Sequence, residues 1–203
     1  MDRTIQDRLK EQGMLLKGIV TFRPSVYTAV AHDPRATGTS GIIIIAVYML
    51  IGCVQAMIAP ASTEETTSLM VKLYGIGMFT GYQLFQALFA WVVGGVINTF
   101  LATRLFRGTI NLAQMMRIIG YVSVFRLLEL ATIAGGLTQA IFFVWYALLL
   151  IGHGVGIRAV AKIDAPRAAA TAVLAGVPMY FLMILITYVI KLLFFTLDLP
   201  LPS

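Results

Sequence analysis

The sequence predicts an all-α polytopic membrane protein, with five transmembrane helices preceded by an amphipathic interfacial helix. Three observations predict it. Hydrophobic residues make up 59% of the 203 positions and the mean hydropathy is +0.89, beyond what a water-soluble domain of this size can bury. Five apolar stretches reach the roughly twenty residues needed to cross about 30 Å of hydrocarbon. Lysines and arginines cluster on alternate sides of those stretches, as retention of basic residues on the cytoplasmic side requires.

Residues 1–40 form the first unit, a cytoplasmic segment. Asp2, Arg3, Asp7, Arg8, Lys10 and Glu11 make its opening strongly polar, unlike a cleaved signal peptide. Ile5, Leu9, Leu16 and Val20 recur at three- to four-residue spacing among charged side chains, the pattern of an interfacial helix. Pro24 is expected to break that helix and leave a second short one around Val26, Tyr27 and Val30, both resting on the cytoplasmic membrane surface.

The second unit, residues 41–197, carries the spans, at about 41–59, 74–102, 116–135, 137–157 and 169–197; residues 198–203 are a short outer tail. Ser62 with Glu65 has the form of a capping box ahead of the second span. Asp164 with Pro166 suits the start of the fifth. Gly135-Gly136 leaves almost no loop between the third and fourth, which predicts an antiparallel hairpin.

Orientation follows from charge. Arg3, Arg8, Lys10, Lys17, Arg23 and Arg35 precede the first span, Arg104, Arg107 and the boundary residue Arg117 lie between the second and third, and Arg158, Lys162 and Arg167 lie between the fourth and fifth. The opposite side holds Lys72. The amino terminus is therefore expected in the cytoplasm and the carboxyl terminus outside. The net charge of +6 follows this topology and does not imply nucleic acid. The basic face, formed by Arg23, Arg35, Arg104, Arg107, Arg117, Arg158, Lys162 and Arg167, suits anionic lipid or a membrane-protein partner.

Phe22-Arg23-Pro24, followed by a short amphipathic stretch and five spans, resembles the opening of the Yip1 domain family. Gly94-Gly95 through Leu101-Ala102-Thr103-Arg104 and Gly108, the run from Trp145 to Gly152, and the small residues from Ala165 to Ala172 are similar to that family's second, fourth and fifth spans. The resemblance covers roughly residues 15–190 and carries no catalytic motif. A proline expected in the third span is absent, where the chain reads Val124-Phe125-Arg126-Leu127. Eukaryotic relatives contact lipidated GTPases through a longer amino-terminal region, so that partner is not implied here. The compact form is similar to bacterial members, which implies a bacterial cytoplasmic membrane and a non-enzymatic role in organising or assisting membrane components.

Polar residues inside the spans supply the candidate site. Arg126 and Glu129, three apart on the third span, share a helix face and can neutralise each other. Such a pair is either helix packing or a site for a solute, a lipid headgroup or a proton. Gln83 and Gln86 on the second span and Lys191 on the fifth lie at comparable depth and could join them, which is the basis for the alternative function, a small oligomeric transporter, channel or lipid-moving protein. Lys191 can equally snorkel to the outer interface, and the glutamines can bond between helices. His153, within Gly152-His153-Gly154-Val155-Gly156, is a packing residue or a proton site. Gly77 with Gly81, and Gly152 with Gly156, are spaced to let helices approach, within one chain or in a homo-oligomer. Cys53 has no disulfide partner, and neither a metal-ligand spacing nor a cofactor motif is found, so no metal and no cofactor are expected.

Overall fold

The computed structural model describes residues 5–58, 69–134 and 138–196, which are helical apart from short turns. In chain order the helices are α1 (Ile5–Val20), α2 (Pro24–His32), α3 (Ala36–Ile58), α4 (Leu69–Phe100), α5 (Leu112–Val122), α6 (Thr138–Ala161) and α7 (Ala165–Thr196). A π-helical turn, Leu101–Leu105, extends α4, and a 3₁₀ helix, Ser123–Ala134, extends α5. The predicted capping box at Ser62 and Glu65, the Gly135-Gly136 hairpin and the terminal tail lie outside the described residues.

Among the described residues, four helices are long and apolar enough to cross a membrane: Ala36–Met57, Phe79–Leu105, Gln139–Ala161 and Ala165–Ile186. Their outward faces carry Ile42, Val92, Val96, Phe143, Val173 and Phe181, all exposed. Apolar surface on that scale calls for hydrocarbon as the solvent. The chain is thus an all-helical protein that fits an integral membrane location.

The third stretch departs from the expected continuous α-helix over 116–135. It starts at Leu112, where Asn111 Oδ1 accepts from Gln114 N (2.9 Å) and Gln114 Oε1 accepts from Asn111 N (3.0 Å), a reciprocal capping box. At Ser123 it tightens to 3₁₀ geometry for twelve residues, well beyond the usual three or four. The polar spacing accounts for the change. Ser123, Arg126, Glu129 and Thr132 recur every third residue. Three residues per turn stack them in one file, whereas 3.6 would turn Thr132 about 180° away from Ser123. At about 1.5 and 2.0 Å per residue, Leu112–Val122 and Ser123–Ala134 together measure about 40 Å.

At the end where α4 meets α5 and α6 meets α7, Thr109 N donates to Ala161 O (3.0 Å) and joins the two connections, while Gly108 N donates to Ala102 O (2.8 Å) within the first. Arg107 and Lys162 take left-handed backbone there, with φ of 58° and 56°. Asp164 caps α7 as predicted, accepting from Arg167 N (3.0 Å).

α1 and α2 cover the same end. Pro24 is the first residue of α2, and Phe22 turns the chain at φ 52°. Val20 is exposed, but Ile19 is buried and Leu16 packs on the core, so part of the amphipathic face turns into the protein. Tyr27 is wholly buried, donates from its hydroxyl to Ile19 O (3.1 Å), and has its phenol pushed up by burial. Tyr121 on α5 donates to Gln12 Oε1 (2.7 Å), tying α1 to the bundle.

α3 lies against α5 most closely at Gly120. A Cβ built there would stand 2.5 Å from both Ser40 Cβ and Ser40 O. Backbone cannot yield as a flexible side chain can, so Gly120→Ala is expected to separate the two helices and cost about 1–3 kcal/mol. Denaturant titration in micelles measures this; an unchanged midpoint would contradict the packing.

Candidate functional site

α3, α4 and the 3₁₀ helix share one polar network. Arg126 is 9% exposed. Its Nε donates to Glu129 Oε2 (2.8 Å), and its Nη2 donates to Gln83 Oε1 and Gln86 Oε1 (both 3.2 Å). Gln83 Nε2 donates to Gln55 Oε1 (2.9 Å), and Gln55 Nε2 donates to Glu129 Oε1 (2.9 Å). The ring Arg126, Gln83, Gln55, Glu129 is therefore closed, with each oxygen of Glu129 engaged.

The guanidinium also lies over the Tyr48 ring, 3.9 Å from its centroid, and 5.8 Å from that of Trp145. An arginine at the bilayer centre costs roughly 2.5–3.5 kcal/mol to insert. Three bonds from a charged donor at about 1.5–3 kcal/mol each, with a cation–π contact near 2 kcal/mol, outweigh that cost. The guanidinium and the carboxylate are each held by hydrogen bonds within the network.

The predicted cluster is thus brought together for Arg126, Glu129, Gln83 and Gln86. Lys191 lies on α7, and its side chain is outside those described. Gln55 and Tyr48 were missed. Gln55 is the one amide in the run 41–59, a signal that was available. Tyr48 offered none, because its contact depends on how α3 meets the 3₁₀ helix.

This network forms part of the wall of a cavity of about 610 Å³. α4 packs on α3, α5 and α7, while α6 packs on the 3₁₀ helix and α7, and the cavity lies between these groups. Its lining is largely aromatic and aliphatic, including Phe89, Tyr146, Leu149 and Met179. Phe142, Ile184 and Tyr188 line it and are exposed, which places its mouth at the end far from α1 and α2. At the other end stand Asn98, His153 and Ala172.

His153 faces this cavity, and its Nε2 is buried without a partner. Gly152 packs against Val122 and Phe125, and Gly156 against Ile118 and Tyr27, so this pair does bring helices close. Among the described residues, none lies within contact of a Cβ placed at Gly77 or Gly81, so this pair brings no described helices together.

The predicted basic face divides. Arg23, Arg35, Arg104, Arg107, Arg158, Lys162 and Arg167 are exposed around the end covered by α1 and α2. Arg117 is turned inward: its Nε donates to Thr37 Oγ1 (2.7 Å) and its Nη1 to Ala31 O (2.6 Å), pinning the α2–α3 junction to α5. Among the described residues no three His, Cys, Asp or Glu side chains are grouped as metal ligands. Cys53 lies 3.7 Å from Thr80 Oγ1 and is a free thiol. Compared with known proteins, the chain matches no family model, no curated protein and no solved structure.

Proposed function

We propose that this chain is a membrane protein that holds an amphipathic small molecule of the bilayer between its helices. The observation that carries the reading is the cavity of about 610 Å³, which joins an apolar aromatic wall to fixed polar groups and opens at one end. Sites for small ligands have this size and this mixture, with a few placed polar groups setting orientation. Binding or moving such a molecule is the lipid-handling form of the alternative drawn from the sequence, and the cavity favours it over a purely organising role.

In this reading the 112–134 segment is a fifth crossing, its charges hidden in the network, and its length of about 40 Å suffices for the hydrocarbon. The basic end then faces the cytoplasm of a bacterial cell, where it meets anionic lipid. In this reading the residues that resemble the Yip1 domain family make the chain a compact member of that type, with a protein partner or a second copy reached through the lipid-facing surface. Five crossings place the termini on opposite sides. Impermeant thiol labelling of single cysteines at either end, in a Cys53→Ala background, is expected to reach only one end in sealed vesicles; reaction at both ends would contradict the fifth crossing.

The cavity is tested by photolabelling in nanodiscs with an oleoyl probe carrying a chain diazirine. Adducts are expected on the peptides bearing Phe142, Trp145 and Tyr188, and excess unlabelled lipid should compete them away. Uncompeted labelling spread over outward residues such as Val92 and Val177 would contradict a discrete site.

A further inference from the structure

Two features of the cavity wall narrow what can occupy it. The first is charge. Arg126 and Glu129 are the charged residues on the lining, and they are paired at 2.8 Å. Both carboxylate oxygens are already engaged, one by Arg126 and the other by Gln55. Among the described side chains, an entering phosphate finds no uncompensated cation and an entering ammonium no free carboxylate, so either ion would lose its hydration without a counter-charge.

The second feature is a set of buried polar atoms with no partner. Asn98 is 4% exposed; its Nδ2 donates to Gly94 O (2.8 Å), and its Oδ1 is left unpaired. His153 Nε2 is likewise unpaired, and both residues line the cavity. They stand at matching depth: Asn98 is seven residues before Leu105, where the π turn ends, and His153 is eight before Ala161, where α6 ends. Of the two other unpaired atoms, Thr99 Oγ1 belongs to a residue off the lining, and Trp145 Nε1 lies about 12 Å nearer the mouth, two turns before His153 on α6. Buried polar groups in proteins are nearly always hydrogen-bonded, so unpaired atoms on residues that line a cavity call for a partner from it.

Asn98 Oδ1 can only accept, and therefore asks the occupant for a donor; Trp145 Nε1–H can only donate. A hydroxyl serves an acceptor such as Asn98 and can share the His153 ring nitrogen, whichever role that nitrogen takes. We infer that the cavity takes an uncharged, hydroxyl-bearing amphiphile, its hydroxyl end at Asn98 and His153 and its hydrocarbon running out past Phe142, Ile184 and Tyr188. This assignment rests on the amphiphile-binding reading and adds the chemistry of the headgroup.

Three probes with one acyl chain separate the possibilities: mono-oleoylglycerol, oleoyl lysophosphatidic acid and methyl oleate. They differ in hydroxyls and charge and share the tail. Binding to the purified full chain in nanodiscs, followed by native mass spectrometry, is expected to show one mono-oleoylglycerol per chain, at least tenfold tighter than either other probe. His153→Phe and Asn98→Leu are each expected to reduce that preference about tenfold. Where a variant fails to fold, the wild-type ranking of the three probes decides.

Equal or tighter binding of lysophosphatidic acid would overturn the uncharged headgroup while leaving an amphiphile site. Equal binding of methyl oleate would show that the unpaired atoms recognise nothing, and would also overturn it. Failure of all three to bind saturably would overturn both this assignment and the reading beneath it.

Discussion

Glu129→Leu is expected to unfold the bundle more readily than almost any other single change, by about 3–5 kcal/mol. It strands Arg126, which is 9% exposed, without its carboxylate, and leaves Gln55 Nε2 without its acceptor. Arg126→Met is expected to cost a similar amount for the converse reason, because it strips the buried Glu129 carboxyl of its counter-ion and of the Nε donor. The double variant Arg126→Met with Glu129→Leu removes both charges and fills the space with apolar side chains, so it should recover most of the loss. Unfolding midpoints in mixed micelles, compared as a double-mutant cycle, measure the coupling between the two positions. Simply additive losses would show that the pair is not a unit.

The second large effect is on binding. Gly94 lines the cavity, and a Cβ there would meet Met179 Cε at 3.5 Å and Ile119 Cδ1 at 3.8 Å, ordinary contact distances. Gly94→Leu therefore places an isobutyl group against the cavity without a backbone collision. Replacing a mid-helix glycine also removes a propensity cost of about 1 kcal/mol, so stability is expected to hold or rise slightly. Amphiphile binding is expected to fall by a hundredfold or more. The useful property of this variant is that fold and binding move separately: a destabilised chain would point to misjudged packing, and a stable chain with unchanged binding would place the ligand elsewhere.

The spans were legible because hydrophobic length is a direct readout of a bilayer crossing, and α3, α4, α6 and α7 fall where apolar runs were found. Pro24 and Asp164 also marked their helix starts, since a fixed φ and a short acceptor act locally. The 3₁₀ helix was not anticipated, although its trace was in the sequence: Ser123, Arg126, Glu129 and Thr132 sit three apart, a period matching 3.0 residues per turn better than 3.6. Arg126, Glu129 and the two glutamines were found because charges and amides are rare in an apolar span. Gln55 and Tyr48 needed the helix arrangement. Likewise Arg117 read as a surface charge, and only the α2–α3 junction against α5 shows it bonded inward. The cavity itself left no mark in the sequence, because it is a space between helices rather than a property of any one of them.

The measurement that bears most directly on the central claim is native mass spectrometry of the wild-type chain extracted from its source membrane into nanodiscs without added ligand. An intramembrane amphiphile site predicts a chain carrying one uncharged amphiphile, released only at high collision energy and missing from Gly94→Leu. A chain that emerges bare from lipid, or that carries the same species after Gly94→Leu, would contradict it.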